Sequence, residues 1–225
     1  MSLSRAGRFI AAPIGKKVIM AVTGVMLFGF VVMHLIGNLQ IYIPADANGH
    51  YQIDAYGQAL RNLGELLWVA RLALLAAVIL HIVTAIQLSL QANAARPVAY
   101  QKKDNAHSTY ASRTMIWSGP IIGLFIVYHL LHFTGGQLHP DFKDLSVHHN
   151  VVRGFQDPLA SLVYIVAMLM LGTHLYHGVW SMFQSVGVNH PRYTPHLKLF
   201  AKAAAAFLVI GNISIPISVM AGLVK

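Results

Sequence analysis

Five uninterrupted apolar blocks constrain this chain more than any other feature of it. They run over roughly residues 18–43, 66–90, 114–133, 159–183 and 199–223. Each is long enough to cross a hydrocarbon core of about 30 Å, which takes about 20 helical residues. Inside a bilayer every backbone polar group must be satisfied within the protein, so only helices and closed barrels can span it. The runs are continuous rather than alternating, which points to helices. Charged residues make up 10% of the 225, against roughly a quarter in soluble domains. The expected fold is all-α, an integral membrane five-helix bundle forming one domain over residues 1–225, without repeats or low-complexity linkers.

The formal charge is +9, and its distribution separates a nucleic-acid surface from a topology signal. The N-terminus carries Arg5, Arg8, Lys16 and Lys17. The connection between the second and third blocks carries Arg96, Lys102, Lys103 and Arg113, and that between the fourth and fifth carries Arg192, Lys198 and Lys202. The two alternate connections hold six of the seven acidic residues and only Arg61, Arg71, Lys143 and Arg153 as cations. Positive charge concentrates on the cytoplasmic side of a membrane. The N-terminus is therefore expected inside a cytoplasmic membrane and the C-terminus outside, with no nucleic-acid partner. The first block is too long for a cleavable signal and reads as an anchor. Cysteine is absent, which excludes disulfides and leaves no thiolates for an iron–sulfur cluster.

The chain breaks at Pro13-Ile14-Gly15 before the first span, which should end near Pro44. In the first outer connection Ile53, Tyr56, Leu60 and Leu63 recur at helical spacing, predicting a short amphipathic helix. The second, residues 135–157, mixes His, Asp, Gly and Pro and is expected to be irregular. Pro120 and Pro216 read as kinks of the kind membrane helices tolerate.

Of thirteen histidines, seven lie in connections and read as solvated or interfacial: His50, His107, His139, His148, His149, His190 and His196. The other six, His34, His81, His129, His132, His174 and His177, lie inside apolar segments, where ionisable residues are rare and usually functional. They fall one or two to a span on the first four spans. Four helices offering imidazoles to a common interior can bind metal or haem.

Depth sorts them. His34 follows Lys17 by 17 residues and His129 follows Arg113 by 16, which puts both about 24–26 Å from the inner boundary. His81 and His174 follow Glu65 and Asp157 by similar counts on helices running the other way, so they sit toward the inner side. If consecutive helices are neighbours, the first and third, and the second and fourth, face each other diagonally. Small residues beside the histidines (Gly37 and Asn38; Ala77, Thr84 and Ala85; Gly178 and Ser181) leave room for a flat group. Two bis-imidazole haems stacked across the membrane, enclosed by the first four helices, fit this pattern. Filling both axial positions suits electron transfer better than oxygen binding. His132 and His177 each follow one of these residues by three and compete as ligands. Depth favours His129 over His132, while His174 and His177 stay open on geometry alone.

Four segments together resemble a known family: Val32-Met33-His34-Leu35-Ile36-Gly37-Asn38, Ile79-Leu80-His81, Val127-Tyr128-His129-Leu130-Leu131-His132-Phe133, and Thr173-His174-Leu175-Tyr176-His177-Gly178-Val179-Trp180-Ser181. In order and spacing the chain resembles, over nearly its whole length, the di-haem cytochrome b membrane anchor of succinate dehydrogenase and quinol:fumarate reductase. The resemblance implies two haems b, the outer held by His34 and His129 and the inner by His81 and His174. It selects His174 over His177 through the following Gly178-Val179-Trp180. Partner flavoprotein and iron–sulfur subunits are implied, succinate chemistry stays off this chain, and electrons pass to a membrane quinone, menaquinone in this type of complex. Gly172 stands where some members carry an acidic residue, so that proton route is not carried over. Arg113 and Trp117 are candidates for the quinone or propionate environment, and Arg96, Lys102 and Lys103 for docking the iron–sulfur partner. The rivals are the haem b anchor of another quinone-linked dehydrogenase and a proton-coupled transporter without haem.

The charge pattern makes a direct prediction. In this cysteine-free chain, Lys102→Cys should react with an impermeant maleimide only from the cytoplasmic side, and Asp144→Cys only from the opposite side. Labelling of both from one side would overturn the five-span topology.

Overall fold

The computed structural model describes residues 5–95 and 110–225. Among the described residues there is no strand, and eight helices follow one another: α1 Arg5–Ala11, α2 Pro13–Asn38, α3 Gln52–Arg61, α4 Glu65–Ala94, α5 Tyr110–His129, α6 Val147–Phe155, α7 Pro158–Ser185 and α8 Thr194–Met220. Proline at the first turn of α2, α7 and α8 starts each where no backbone N–H is needed. Asp157 caps α7 by accepting from the Leu159 N–H at 2.9 Å. α2 tightens into a 3-10 turn over Leu39–Tyr42, and α5 widens into a π turn over Leu130–Thr134. At Gly64 the backbone takes φ 56°, and there α3 gives way to α4.

Five of these segments, of 22 to 30 residues, are long and apolar enough to cross a membrane: Pro13–Tyr42, Glu65–Ala94, Arg113–Thr134, Pro158–Ser185 and Thr194–Met220. The five expected spans are all present, and the chain is a multi-pass membrane protein. Pro120 and Pro216 lie inside α5 and α8.

α2 and α7 form the centre. α2 packs on α4, α7 and α8, α7 also carries α5 and α8, and α4 and α5 stand on opposite flanks without comparable packing between them. The expectation that consecutive spans are neighbours thus holds except for the second and third. The fifteen residues between α4 and α5 are enough chain to let the two separate. α4 meets the bundle along one stripe, Ala77 and Thr84 being its buried residues with His81 between them.

Two apolar clusters hold the helices together. Leu35, which is fully buried, packs with Leu175, Ala205 and Leu208 where α2, α7 and α8 meet. The second joins Ile41, Ile53, Val152, Phe155, Tyr164, Ile215 and Val219 beneath α3 and α6. These two short helices cover one end of the bundle. The Tyr51 ring stacks on His148 with centroids 3.4 Å apart, Asp54 accepts from the His148 backbone N–H at 2.8 Å, and Arg61 pairs with Asp144 at 2.7 Å.

Three expectations change. α3 is the predicted amphipathic helix, but the second outer connection is not wholly irregular, since α6 occupies it. The His, Asn, Arg and Gly that interrupt Val147–Phe155 hid the buried face of Val152 and Phe155. Gly37 does not make room for a flat group: a Cβ there would lie 2.6 Å from the Tyr56 ring, so its size admits α3. His148 is not solvated but buried, and the same burial pushes its imidazole below the ordinary value of 6.5 against the pull of Asp54. Arg96, Lys102, Lys103 and His107 lie outside the described residues.

Two predictions follow from this packing. A Cβ on Gly211 would fall 2.7 Å from Leu35, a side chain with no free space to retreat into. Gly211→Val should therefore cost about 1–3 kcal/mol by overpacking, read as an earlier melting transition in detergent. Because folding depresses the His148 pKa, protonation favours release of α6. Its docking should be intact above pH 6.5 and weaken as pH falls below it. Proteolysis at the 135–157 connection should accelerate on acidification in the native chain and not in His148→Phe.

Candidate functional site: histidines paired at two levels

The α-helical repeat turns the membrane histidines inward, and the packing of α2, α4, α5 and α7 brings four of them together in two pairs. His34 on α2 meets His129 on α5, ring centroids 5.8 Å apart with planes at 88°. His81 on α4 meets His174 on α7, centroids 6.3 Å apart at 57°. Both pairs span diagonals of the bundle, between helices whose backbones do not pack closely on each other.

Each pair is fixed by hydroxyls from neighbouring helices. Thr23 Oγ1 on α2 lies 3.1 Å from His81 Nδ1 and donates its own proton to the Ile19 carbonyl at 2.8 Å. With that proton committed, the His81 Nδ1–H is the donor, and Nε2 of the neutral ring is bare. Ser118 Oγ on α5 lies 3.4 Å from His174 Nδ1. Tyr164 Oη on α7 lies 3.2 Å from His129 Nδ1. His34 stacks on Phe30, one turn earlier on α2, at 5.3 Å.

The same contacts set the spacing of the levels. Thr23, which touches the lower pair, precedes His34 of the upper pair by eleven residues on α2, and Ser118 precedes His129 by eleven on α5. At 1.5 Å per residue the two levels stand about 16 Å apart.

Of the remaining candidates, His132 is 1% exposed and lies in the π turn with Nδ1 3.1 Å from the same Tyr164 hydroxyl. His177 is half-buried on α7 and is not paired with a second histidine ring among the described residues. Trp117 is 70% exposed on the outward surface of α5, and Arg113 is exposed one turn before it. Among the connection histidines, His139 is also not simply solvated: Nε2 donates to the Asn150 carbonyl at 2.8 Å and Nδ1 accepts from the Asp141 N–H at 3.0 Å.

Sequence reasoning missed Thr23, Ser118 and Tyr164. The signal was available, since each is a hydroxyl in an apolar span, and two of them stand eleven residues before a histidine.

Whether the pairs suit a metal can be judged from the donors. A metal–imidazole bond is about 2 Å, so two imidazoles on opposite sides of one ion have ring centres about 6 Å apart. Both pairs have that separation. Among the described residues no cluster of three or more His, Cys, Asp or Glu could hold a metal ion. Each pair is thus a two-donor set, suited to an ion whose other positions are already filled.

No protein-family model, curated protein or solved structure matches this chain.

Removing the hydroxyl that supports His81 tests whether it orients the ring. Thr23→Val keeps the shape and should cost about 0.6–2 kcal/mol, the range for hydrogen bonds between membrane helices. Thr23→Ser should restore most of that in the same thermal assay, and equal losses in both variants would show that the hydroxyl contributes nothing.

Proposed function

We propose that this chain is the di-haem cytochrome b anchor of a membrane succinate:quinone oxidoreductase, relaying electrons between a partner iron–sulfur subunit and a membrane quinone. The observation that carries this reading is the pairing of four histidines, two and two, at levels about 16 Å apart. A haem iron has four positions filled by the macrocycle and two open, which is what a pair of imidazoles about 6 Å apart can complete. When bound, such bis-imidazole haem supplies one-electron transfer with no position left for oxygen.

The chain's own residues do the rest. His34 with His129, and His81 with His174, would hold the two groups, outer and inner in the orientation implied by the charges. Thr23, Ser118 and Tyr164 orient the rings by engaging Nδ1, which leaves Nε2 as the ligating atom. The apolar spans exclude water and lower the local dielectric around both levels. Succinate oxidation or fumarate reduction belongs to a partner flavoprotein, as the family resemblance implies. The positive charge of the connections carrying Arg96, Lys102, Lys103, Arg192, Lys198 and Lys202 is proposed to dock the iron–sulfur partner. Arg113 and Trp117 are the residues proposed nearest the quinone, which the resemblance makes menaquinone.

The test is a reduced-minus-oxidised spectrum of the detergent-purified chain, with haem b quantified per polypeptide. Two haems are expected, falling to about one in His34→Ala or His81→Ala. A well-folded chain without haem would remove this reading and leave the proton-coupled transporter in its place.

A further inference from the structure

We propose that Tyr164 is the positioning residue that makes His129, and not His132, the iron-facing imidazole of its level, by holding the two histidines in opposite tautomers. This inference rests on the di-haem reading.

The argument is one of counting protons. Tyr164 Oη lies 3.2 Å from His129 Nδ1 and 3.1 Å from His132 Nδ1. A phenol has one proton, so it donates to one ring and accepts from the other. The ring that donates carries Nδ1–H and has a bare Nε2. The ring that accepts has its bare nitrogen engaged by the phenol and, when neutral, carries its proton on Nε2. Only the first can ligate through Nε2, because a metal ligand needs an unprotonated nitrogen.

The surroundings decide which ring is which. His129 faces His34 across 5.8 Å, the separation two ligands of one ion require. His132 faces His139 at 5.1 Å, and both nitrogens of His139 are already engaged, with Asn150 and Asp141. With His139 engaged, a metal at His132 could take its second imidazole only from His34, which in this structure faces His129. His129 is therefore the donor to Tyr164 and His132 the acceptor.

Tyr164 is placed for this role. It is 7% exposed, and Phe125 and Phe155 stand edge-on to its ring, each at 4.9 Å. That cage fixes the ring, so the hydroxyl cannot swing away from the two imidazoles. It also means that Tyr164→Phe keeps the packing and deletes only the hydrogen bonding.

The experiment compares wild type, Tyr164→Phe, His132→Ala and the double variant, each purified as the full chain. Haem per chain and the low-spin ferric electron paramagnetic resonance spectrum are recorded on the loaded protein. Histidine tautomers are read by ¹⁵N nuclear magnetic resonance on protein produced under haem limitation. The expected result is two haems in all four. The outer-level signal should be single in wild type and His132→Ala, split into two populations in Tyr164→Phe, and return to one in the double variant. The nitrogen spectrum should give Nδ1–H at His129 and Nε2–H at His132, mixing in Tyr164→Phe. An unchanged resonance signal in Tyr164→Phe, or the same tautomer at both positions, overturns the role of Tyr164 while leaving the di-haem reading intact. A folded wild-type chain that takes up no haem overturns that reading and the ligand choice with it.

Discussion

An imidazole inside a hydrocarbon slab has no water to receive its N–H, so another part of the protein must. That constraint organises the middle of this bundle. Thr23, Ser118 and Tyr164 each reach from one helix to a histidine on the next. The packed contacts α2 with α4 and α5 with α7 are the ones across which these bonds run. Lipid tails are as apolar as leucine, so helices in a membrane associate through close packing and such hydrogen bonds rather than through the hydrophobic effect. The polar contacts that aim the histidines are therefore also part of what holds the helices beside one another.

Apolar packing supplies the remainder and divides along the membrane normal. Around Leu35 the central helices pack closely, with Gly211 lying where the Leu35 side chain needs space. At the other cluster the short helices α3 and α6 close over Tyr164, Ile215 and Val219. The π turn after His129 lies under that cover, at the point where two histidines share one tyrosine. Widened turns of this kind recur at functional sites.

Much of this architecture could be read from the residues alone. Spans came from the length of apolar runs, and the histidine pairs came from counting residues to the nearest boundary charge. Both work because rise per residue and membrane thickness are fixed quantities. What escaped was whatever depends on rotation about a helix axis. Threonine 23 looked like any small residue in an apolar run, since nothing local marks which face it lies on. Gly37 was read as space beside His34, when the space belongs to Tyr56 from a helix that begins fifteen residues further along the chain. His148 and His139 were read as solvated because their connection was taken as irregular, and their burial arises only when α6 docks. The neighbour rule failed for α4 and α5 because it assumes short connections.

The interval of eleven residues between Thr23 and His34, and again between Ser118 and His129, has a further consequence. Eleven residues is just over three full helical turns, so each hydroxyl and the later histidine lie along one face of a rigid rod. Substitutions between them change volume but leave the rod's length and phase alone. A one-residue insertion or deletion would rotate one end by about 100° against the other, aiming either the hydroxyl or the imidazole away from its partner. These two segments act as rulers that tolerate exchange of residues but not a change in their number. The one place where α5 takes up an extra residue per turn, Leu130–Thr134, lies just beyond the end of its ruler.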